Sequence, residues 1–266
     1  MLSYQHGYHA GNLADVHKHA LLATVLDYLT RKDKPLSYIE THAGRGLYDL
    51  ASAEAAKTGE AAQGIGKAAG WFAPDHPYAR ALAATRAAHG PQAYPGSPLV
   101  AAQLLRPIDS LHFNELHPRE HTELTAALAP FDARVARRDG WEAALAHCPP
   151  TPRRGVLLAD PSYEVKAEYD QAARVMAQLH RKWNVGVLML WYPILADARH
   201  RPMTRALAAA IPGVTLHEVR FPPARDGHGM VGSGLAVVNA PWGFDAAAAA
   251  LTRAFAGPSG RPISAP

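Results

Sequence analysis

The chain has 266 residues, 48% hydrophobic and 19% charged, which is enough apolar surface for one large core and argues against disorder. Its one cysteine, Cys148, excludes an internal disulfide framework and a cysteine-rich zinc site. The formal net charge of +4, with basic pairs at Arg31-Lys32, Arg137-Arg138, Arg153-Arg154 and Arg181-Lys182, favours a polyanionic partner.

The N-terminus carries no signal-like apolar segment and the longest apolar runs are strand-sized, so a cytoplasmic protein without a membrane span is expected. Residues 12–30 have helical period, with Leu13, Val16, Ala20, Leu21, Val25, Tyr28 and Leu29 on one face, Asn12 as N-cap and Lys18 toward the other side. Pro35 ends that helix. Residues 36–40 read as a strand running into Thr41-His42-Ala43-Gly44-Arg45-Gly46, where glycines let a ligand approach backbone closely. A third glycine is missing, so the turn is a weak signal for a nicotinamide cofactor.

Residues 48–94 break the strand–helix rhythm and read as an inserted helical subdomain, with Trp71, Phe72, Tyr78 and Leu82 to bury. The remaining chain, 1–47 and 95–266, would form the main domain. Tyr94-Pro95-Gly96-Ser97-Pro98 is a turn that feeds a helix capped by Ser97. Strands are expected at 111–115, 133–137, 155–160, 185–191, 214–221 and 234–239, and helices at 119–128, 141–146, 169–182 and 196–209. Alternating strands and helices predict an α/β fold with a seven-stranded, mostly parallel sheet covered on both faces. The polar, glycine-rich stretch 222–232 predicts an antiparallel closing hairpin, and 243–266 an alanine-rich helix with a loose tail.

The most informative stretch is Leu157-Leu158-Ala159-Asp160-Pro161-Ser162-Tyr163, a buried strand ending in a carboxylate, a proline and an aromatic. The Asp160 carboxylate and Pro161 carbonyl can accept both hydrogens of an exocyclic amine while Tyr163 stacks on its ring. Three acids fall at successive strand ends: Glu115, suited to ribose hydroxyls; Asp139, beside Gly140, suited to an adenine amine; and Asp160. In a doubly wound sheet such ends line one crevice. Each acid alone is equally well read as a solvated strand-end residue.

Asp160-Pro161-Ser162-Tyr163 resembles the Asp-Pro-Pro-Tyr box of S-adenosylmethionine-dependent adenine-N6 methyltransferases. Further stretches narrow the resemblance to the RlmJ family of 23S ribosomal RNA adenine-N6 methyltransferases. They are Ser3-Tyr4-Gln5-His6 with the run His9 to His19, Thr41-His42-Ala43-Gly44, Tyr94-Pro95-Gly96-Ser97-Pro98, Glu115-Leu116-His117-Pro118 and Trp191-Tyr192-Pro193. The resemblance covers roughly residues 1–242. It implies a Rossmann-like class I methyltransferase domain with a small helical insertion and S-adenosylmethionine as cofactor. The substrate would be 23S ribosomal RNA, methylated at N6 of adenine 2030, free or in an early assembly intermediate, by a monomer.

By the same resemblance His19, His42, Ser97, Glu115, Asp139, Gly140 and Asp160 line the cofactor site, Asp160 is catalytic, and Tyr4, His6 and Lys18 meet the RNA. Ser162 departs from the family box, which has a second proline there, and so loosens the turn. A DNA adenine-N6 methyltransferase shares the box and the glycine turn. A nicotinamide oxidoreductase and a non-catalytic RNA-binding module are the remaining readings. Among fifteen histidines, His117 and His121 stand four apart, but Pro118 places His117 before the helix and no metal is expected.

Overall fold

The computed structural model describes residues 6–224, 229–257 and 262–265. Helix α1 (Leu13–Thr30) leads into β1 (Ser37–Glu40). The chain then leaves through β2 (Leu47–Asp49), passes helices α2 (Ala53–Thr58), α3 (Glu60–Gln63), α4 (Ile65–Ala68) and α5 (Pro77–His89), and returns along β3 (Ala93–Pro95). From α6 (Ser97–Leu104) strands and helices alternate: β4 (Ser110–Asn114), α7 (Pro118–Leu128), β5 (Ala133–Ala136), α8 (Gly140–His147), β6 (Gly155–Ala159) and α9 (Ala167–Lys182). β7 (Val187–Leu195), α10 (His200–Ala210), the β8 (Thr215–Arg220) and β9 (Met230–Val238) hairpin, and α11 (Phe244–Ala256) complete the order.

The main sheet has seven strands in the order β5-β4-β1-β6-β7-β9-β8. Pairings are parallel from β5 to β7, while β9 runs antiparallel to both β7 and β8. This is the seven-stranded, mostly parallel sheet expected from the alternating pattern. Side chains alternate between two cores as strand geometry requires. Val156 and Leu158 of β6 point to the face covered by α1, α6 and α11, and Leu157 and Ala159 to the face covered by α8, α9 and α10.

Helix α1 departs from the amphipathic helix expected. Every residue from Ala14 to Leu26 is buried, because α1 packs against α5, α6, α11 and β9 together. Its polar residues, Lys18 included, therefore lie inside the protein and need partners there. Asn12 caps it as expected, accepting from the Asp15 N–H at 2.9 Å. Ser97 does not cap α6; Gly96 precedes the helix, and the Ser97 hydroxyl donates instead to Glu40 at 2.5 Å.

The end of β7 and the start of β9, at Met230, both move outward. β7 runs on to Leu195 because β9 pairs with it from Leu188↔Val238 to Leu195↔Met230. Its pairing with β6 stops at Leu190, so Pro193 lies where the strand has one neighbour and its missing N–H is tolerated. The antiparallel pair β2–β3 closes the neck of residues 47–95, a stretch whose pattern reads as helical. The tail is not loose at Ile263, which bonds across to Trp71 and Ala73 (2.7 and 2.8 Å).

A buried acid sits at the end of β1. Glu40 is 0% exposed and accepts from Ser97 and, at 2.8 Å, from the Tyr38 hydroxyl. Burial pushes its carboxyl up to about 8, against the pull of those two hydroxyls. The folded chain thus holds this proton more tightly than the unfolded chain does. The Glu40 contribution to stability is complete below about 4.5 and is lost as pH rises through about 8. Glu40→Gln, which stays neutral, is expected to melt progressively higher than wild type across that window. Parallel melting curves for the two proteins from acid to alkaline pH would show that Glu40 is already ionised.

Candidate active site

A cleft of about 420 Å³ opens at the carboxyl ends of β1, β4, β6 and β7. Its first wall is the turn after β1. Gly44 and Gly46 take left-handed backbone there (φ 62° and 75°), conformations that cost a side-chain-bearing residue energy. The Gly44 N–H donates to Glu115 Oε2 at 2.8 Å, and Glu115 Oε1 accepts from the His117 N–H at 2.7 Å. Two backbone donors thus aim the Glu115 carboxylate, while burial raises its pKa. Opposite, Asp139 caps α8 by accepting from the Glu142 N–H at 2.9 Å. Gly140 is dictated by space, since a Cβ there would lie 2.0 Å from the Thr41 carbonyl oxygen.

Two imidazoles face this wall. His42 bonds Thr41 Oγ1 through Nδ1 at 2.6 Å and packs edge-on against Trp141, and burial lowers its pKa to about 4. His19, 1% exposed, bonds the Tyr94 hydroxyl through Nδ1 at 3.0 Å, and Tyr94 in turn meets Tyr78 at 2.9 Å. Burial drives His19 down to about 3, so it is neutral at physiological pH. Its Nε2 is buried without a hydrogen-bond partner and lies 3.8 Å from Asp15 Oδ1, too far for one.

The third wall is the end of β6. Asp160 Oδ2 accepts from Lys18 Nζ at 2.5 Å, and the same ammonium lies 3.2 Å from Asp15 Oδ1. Burial opposes the lysine's charge, but Asp160 and then Asp15 outweigh it and hold its pKa above the usual range. Asp15 also bonds His6 Nε2 and the Gly11 N–H, each at 2.9 Å. Burial opposes its charge too, yet His6, Lys18 and His19 together keep its carboxyl well below the usual range. Pro161, Ser162 and Tyr163 continue the wall. Where the family box has a second proline, Ser162 is followed by Tyr163 in left-handed backbone (φ 55°), anchored by its hydroxyl to the Trp191 carbonyl at 2.8 Å. The Tyr163 ring is 7% exposed and packs on Tyr169, 4.4 Å between centroids.

One cleft therefore contains His6, Lys18, His19, His42, Ser97, Glu115, Asp139, Gly140, Asp160, Pro161 and Tyr163. Of the residues singled out in the sequence, Tyr4 lies outside the described residues. Asp15 and Trp191 also line the cleft, and sequence reasoning gave neither a role there. Asp15 was findable, standing three and four residues before Lys18 and His19 on one helix face. Trp191 read as the last residue of a strand and as the start of the family-like stretch Trp191-Tyr192-Pro193, and neither reading placed its ring in the cleft. His117 proves to be the N-cap of α7. No helix among the described residues is long and apolar enough to cross a membrane.

Comparison with known proteins adds the family. The family model described as RsmJ, ribosomal RNA large subunit methyltransferase D, RlmJ, matches residues 33–256. The ribosomal RNA large subunit methyltransferase J of Escherichia coli K12 is 38% identical, covering 91% of this chain and 88% of its own length. That of Haemophilus influenzae is 36% identical with the same coverage. A solved structure from Legionella pneumophila superposes with a TM-score of 0.83 at 33% identity, over 92% of both chains. With a family model spanning most of the chain and relatives this similar over nine-tenths of it, the protein belongs to the RsmJ/RlmJ family of ribosomal RNA large subunit methyltransferases.

Proposed function

We propose that this protein uses S-adenosylmethionine to methylate N6 of an adenine in 23S ribosomal RNA, adenine 2030 by family resemblance. The single observation that carries the reading is the placement of Asp160 in one cleft with His19, His42, Glu115 and Asp139. The chain would act in the cytoplasm, as a monomer, on free RNA or an early assembly intermediate. Residues 48–94 would be an insertion into a domain made of 1–47 and 95–266.

The cleft suits the cofactor on its own chemistry. The buried Nε2 of His19 lacks a partner that a bound ligand can supply. His19 and His42 are neutral, so they set no positive charge against a cationic donor. Glu115, with one lone pair left on each oxygen, can accept from two ribose hydroxyls, and Asp139 can accept from an adenine amine. When bound, S-adenosylmethionine supplies an electrophilic methyl on a sulfonium.

Asp160 Oδ2 is already taken by Lys18, which leaves Oδ1 for substrate. Adenine N6 is a poor nucleophile because its lone pair is delocalised into the ring. Bonds from N6 to Asp160 Oδ1 and the Pro161 carbonyl favour a pyramidal nitrogen with that pair freed. The bond to the carboxylate strengthens as positive charge develops on N6, which stabilises the transition state more than the ground state. Asp160 Oδ1 then takes the proton that N6 must lose. Lys18 and Asp15 keep the carboxylate in place. The base has to leave its stack first, at a cost of a few kcal/mol.

Asp160→Asn is expected to lower turnover at least ~10²-fold in a protein that still folds but melts lower than wild type, because Lys18 loses one of its two carboxylates; near-normal turnover would remove Asp160 from the mechanism. Lys18→Met should reduce turnover yet leave the salt dependence of RNA binding unchanged, since the ammonium is buried between carboxylates. A slope shallower by about one unit would instead place Lys18 on a phosphate. The substrate itself is tested by methylation of unmodified 23S RNA against duplex DNA, with N6-methyladenine mapped in the product. Transfer to DNA alone would overturn the RNA assignment.

A further inference from the structure

Behind the cleft wall runs a chain of five hydrogen bonds that the reaction as described does not use. It starts at Trp191, whose ring lines the cleft with Lys18 Nζ 5.7 Å from its centroid. Trp191 Nε1–H donates to Ser233 Oγ at 2.9 Å. Ser233 Oγ then meets His17 Nδ1, and His17 Nε2 meets His217 Nδ1, both at 2.8 Å. His217 Nε2 meets Thr252 Oγ1 at 2.8 Å, and the Thr252 hydroxyl donates to the Ala248 carbonyl at 3.1 Å.

The two ends decide the direction. An indole N–H can only donate and a carbonyl can only accept, so each link between them has one proton to pass on. Ser233 therefore donates to His17, His17 donates from Nε2 to His217, and His217 donates from Nε2 to Thr252. The reverse order would leave the Ser233 proton, at a position 0% exposed, without an acceptor. Both imidazoles must be neutral for this arrangement. Burial first, and then the His17–His217 repulsion, holds His17 well below its usual range, and burial lowers His217 as well.

Trp191 is thereby gripped twice, at its indole edge by Ser233 and at its backbone carbonyl by Tyr163. Its ring flanks the Lys18–Asp160 pair, where the target base must come to rest. The Tyr163 ring, by contrast, is packed onto Tyr169. We propose that His17 and Ser233 are positioning residues that set the plane of Trp191, and through it the seat of the target base beside Asp160. His217 and Thr252 act one step further out by fixing the tautomer of His17, as partners of functional imidazoles commonly do. This role rests on the cleft being the methyltransferase active site.

Two measurements on the full chain separate the inference from that reading. The chain has five tryptophans, and in 1H–15N spectra Trp191→Phe identifies the Trp191 indole signal. Ser233→Ala is expected to move that signal upfield and leave the others in place. His17→Leu should move it as well, while His17→Asn, which keeps an acceptor near the Nδ1 position, should restore it. In kinetics, Ser233→Ala is expected to raise KM for RNA about tenfold, the scale of one lost buried hydrogen bond, with a smaller change in kcat. Added to Trp191→Phe, it should raise KM no further. An unmoved indole signal, or effects of Ser233→Ala and Trp191→Phe that simply add, would overturn the role. If Ser233→Ala does not fold, His217→Leu on the hairpin carries the same expectation for the Trp191 signal, because it frees both tautomers of His17. A wild type that transfers no methyl to RNA would sink the functional reading, while the spectra would still decide the hydrogen-bond chain.

Discussion

The structure turns on a buried ammonium held between two carboxylates. Lys18 joins the middle of α1 to the end of β6 through Asp160 and closes on Asp15 one turn back along its own helix. Taking three charges out of water costs several kcal/mol per ion, and breaking such a group strands the remainder. Interior charge is tolerable only when each member is matched, and here the matching is nearly complete. Asp15 has His6, the Gly11 N–H and Lys18, and Asp160 keeps one oxygen free toward the cleft. The same contact that seats α1 in the core therefore orients the acid that the chemistry needs.

Helix α1 can be buried on every side because each polar residue in its centre has an appointed partner. Asp15 and Lys18 look toward the cleft, His19 reaches the Tyr94–Tyr78 hydroxyl pair, and His17 reaches Ser233 and His217 on the closing hairpin. One helix thus contacts the parallel half of the sheet, its antiparallel end and the segment between β2 and β3. Burial lowers the pKa values of His17, His19 and His42, so the fixed charge near the cleft is carried by Lys18 and the carboxylates. With Lys18 matched by Asp15 and Asp160, Glu115 and Asp139 leave the cleft a negative balance, the favourable sign for a cationic methyl donor and a nucleophile that gains positive charge.

The acids at the strand ends were the most legible part of the site. Glu115, Asp139 and Asp160 each follow a β-rich run, and parallel strands must bring their carboxyl ends to one edge. Gly140 was legible as the small neighbour of Asp139, though the Thr41 carbonyl that demands it was not. Lys18 was misread at the level of the helix, because a face-by-face pattern cannot show that a second layer of helices will cover the polar side. Ser97 resembled a cap and proved to be a partner of Glu40, a contact across 57 residues that no local rule contains. Trp191 and Ser233 meet only because β7 and β9 pair antiparallel beyond the end of β6.

What the amino-acid order settled alone was periodic and local: outside residues 47–95, which segments are strands and which are helices, where glycine and proline interrupt them, and which motifs place the chain in its family. These follow from backbone sterics and from the spacing of apolar residues, both of which act over a few residues. Tertiary structure alone decided which polar groups are buried and with whom. The free energy of an interior Lys18, Glu40 or His17 depends on partners far away in the chain, and a buried polar group is stable only where the fold brings that partner within hydrogen-bonding distance.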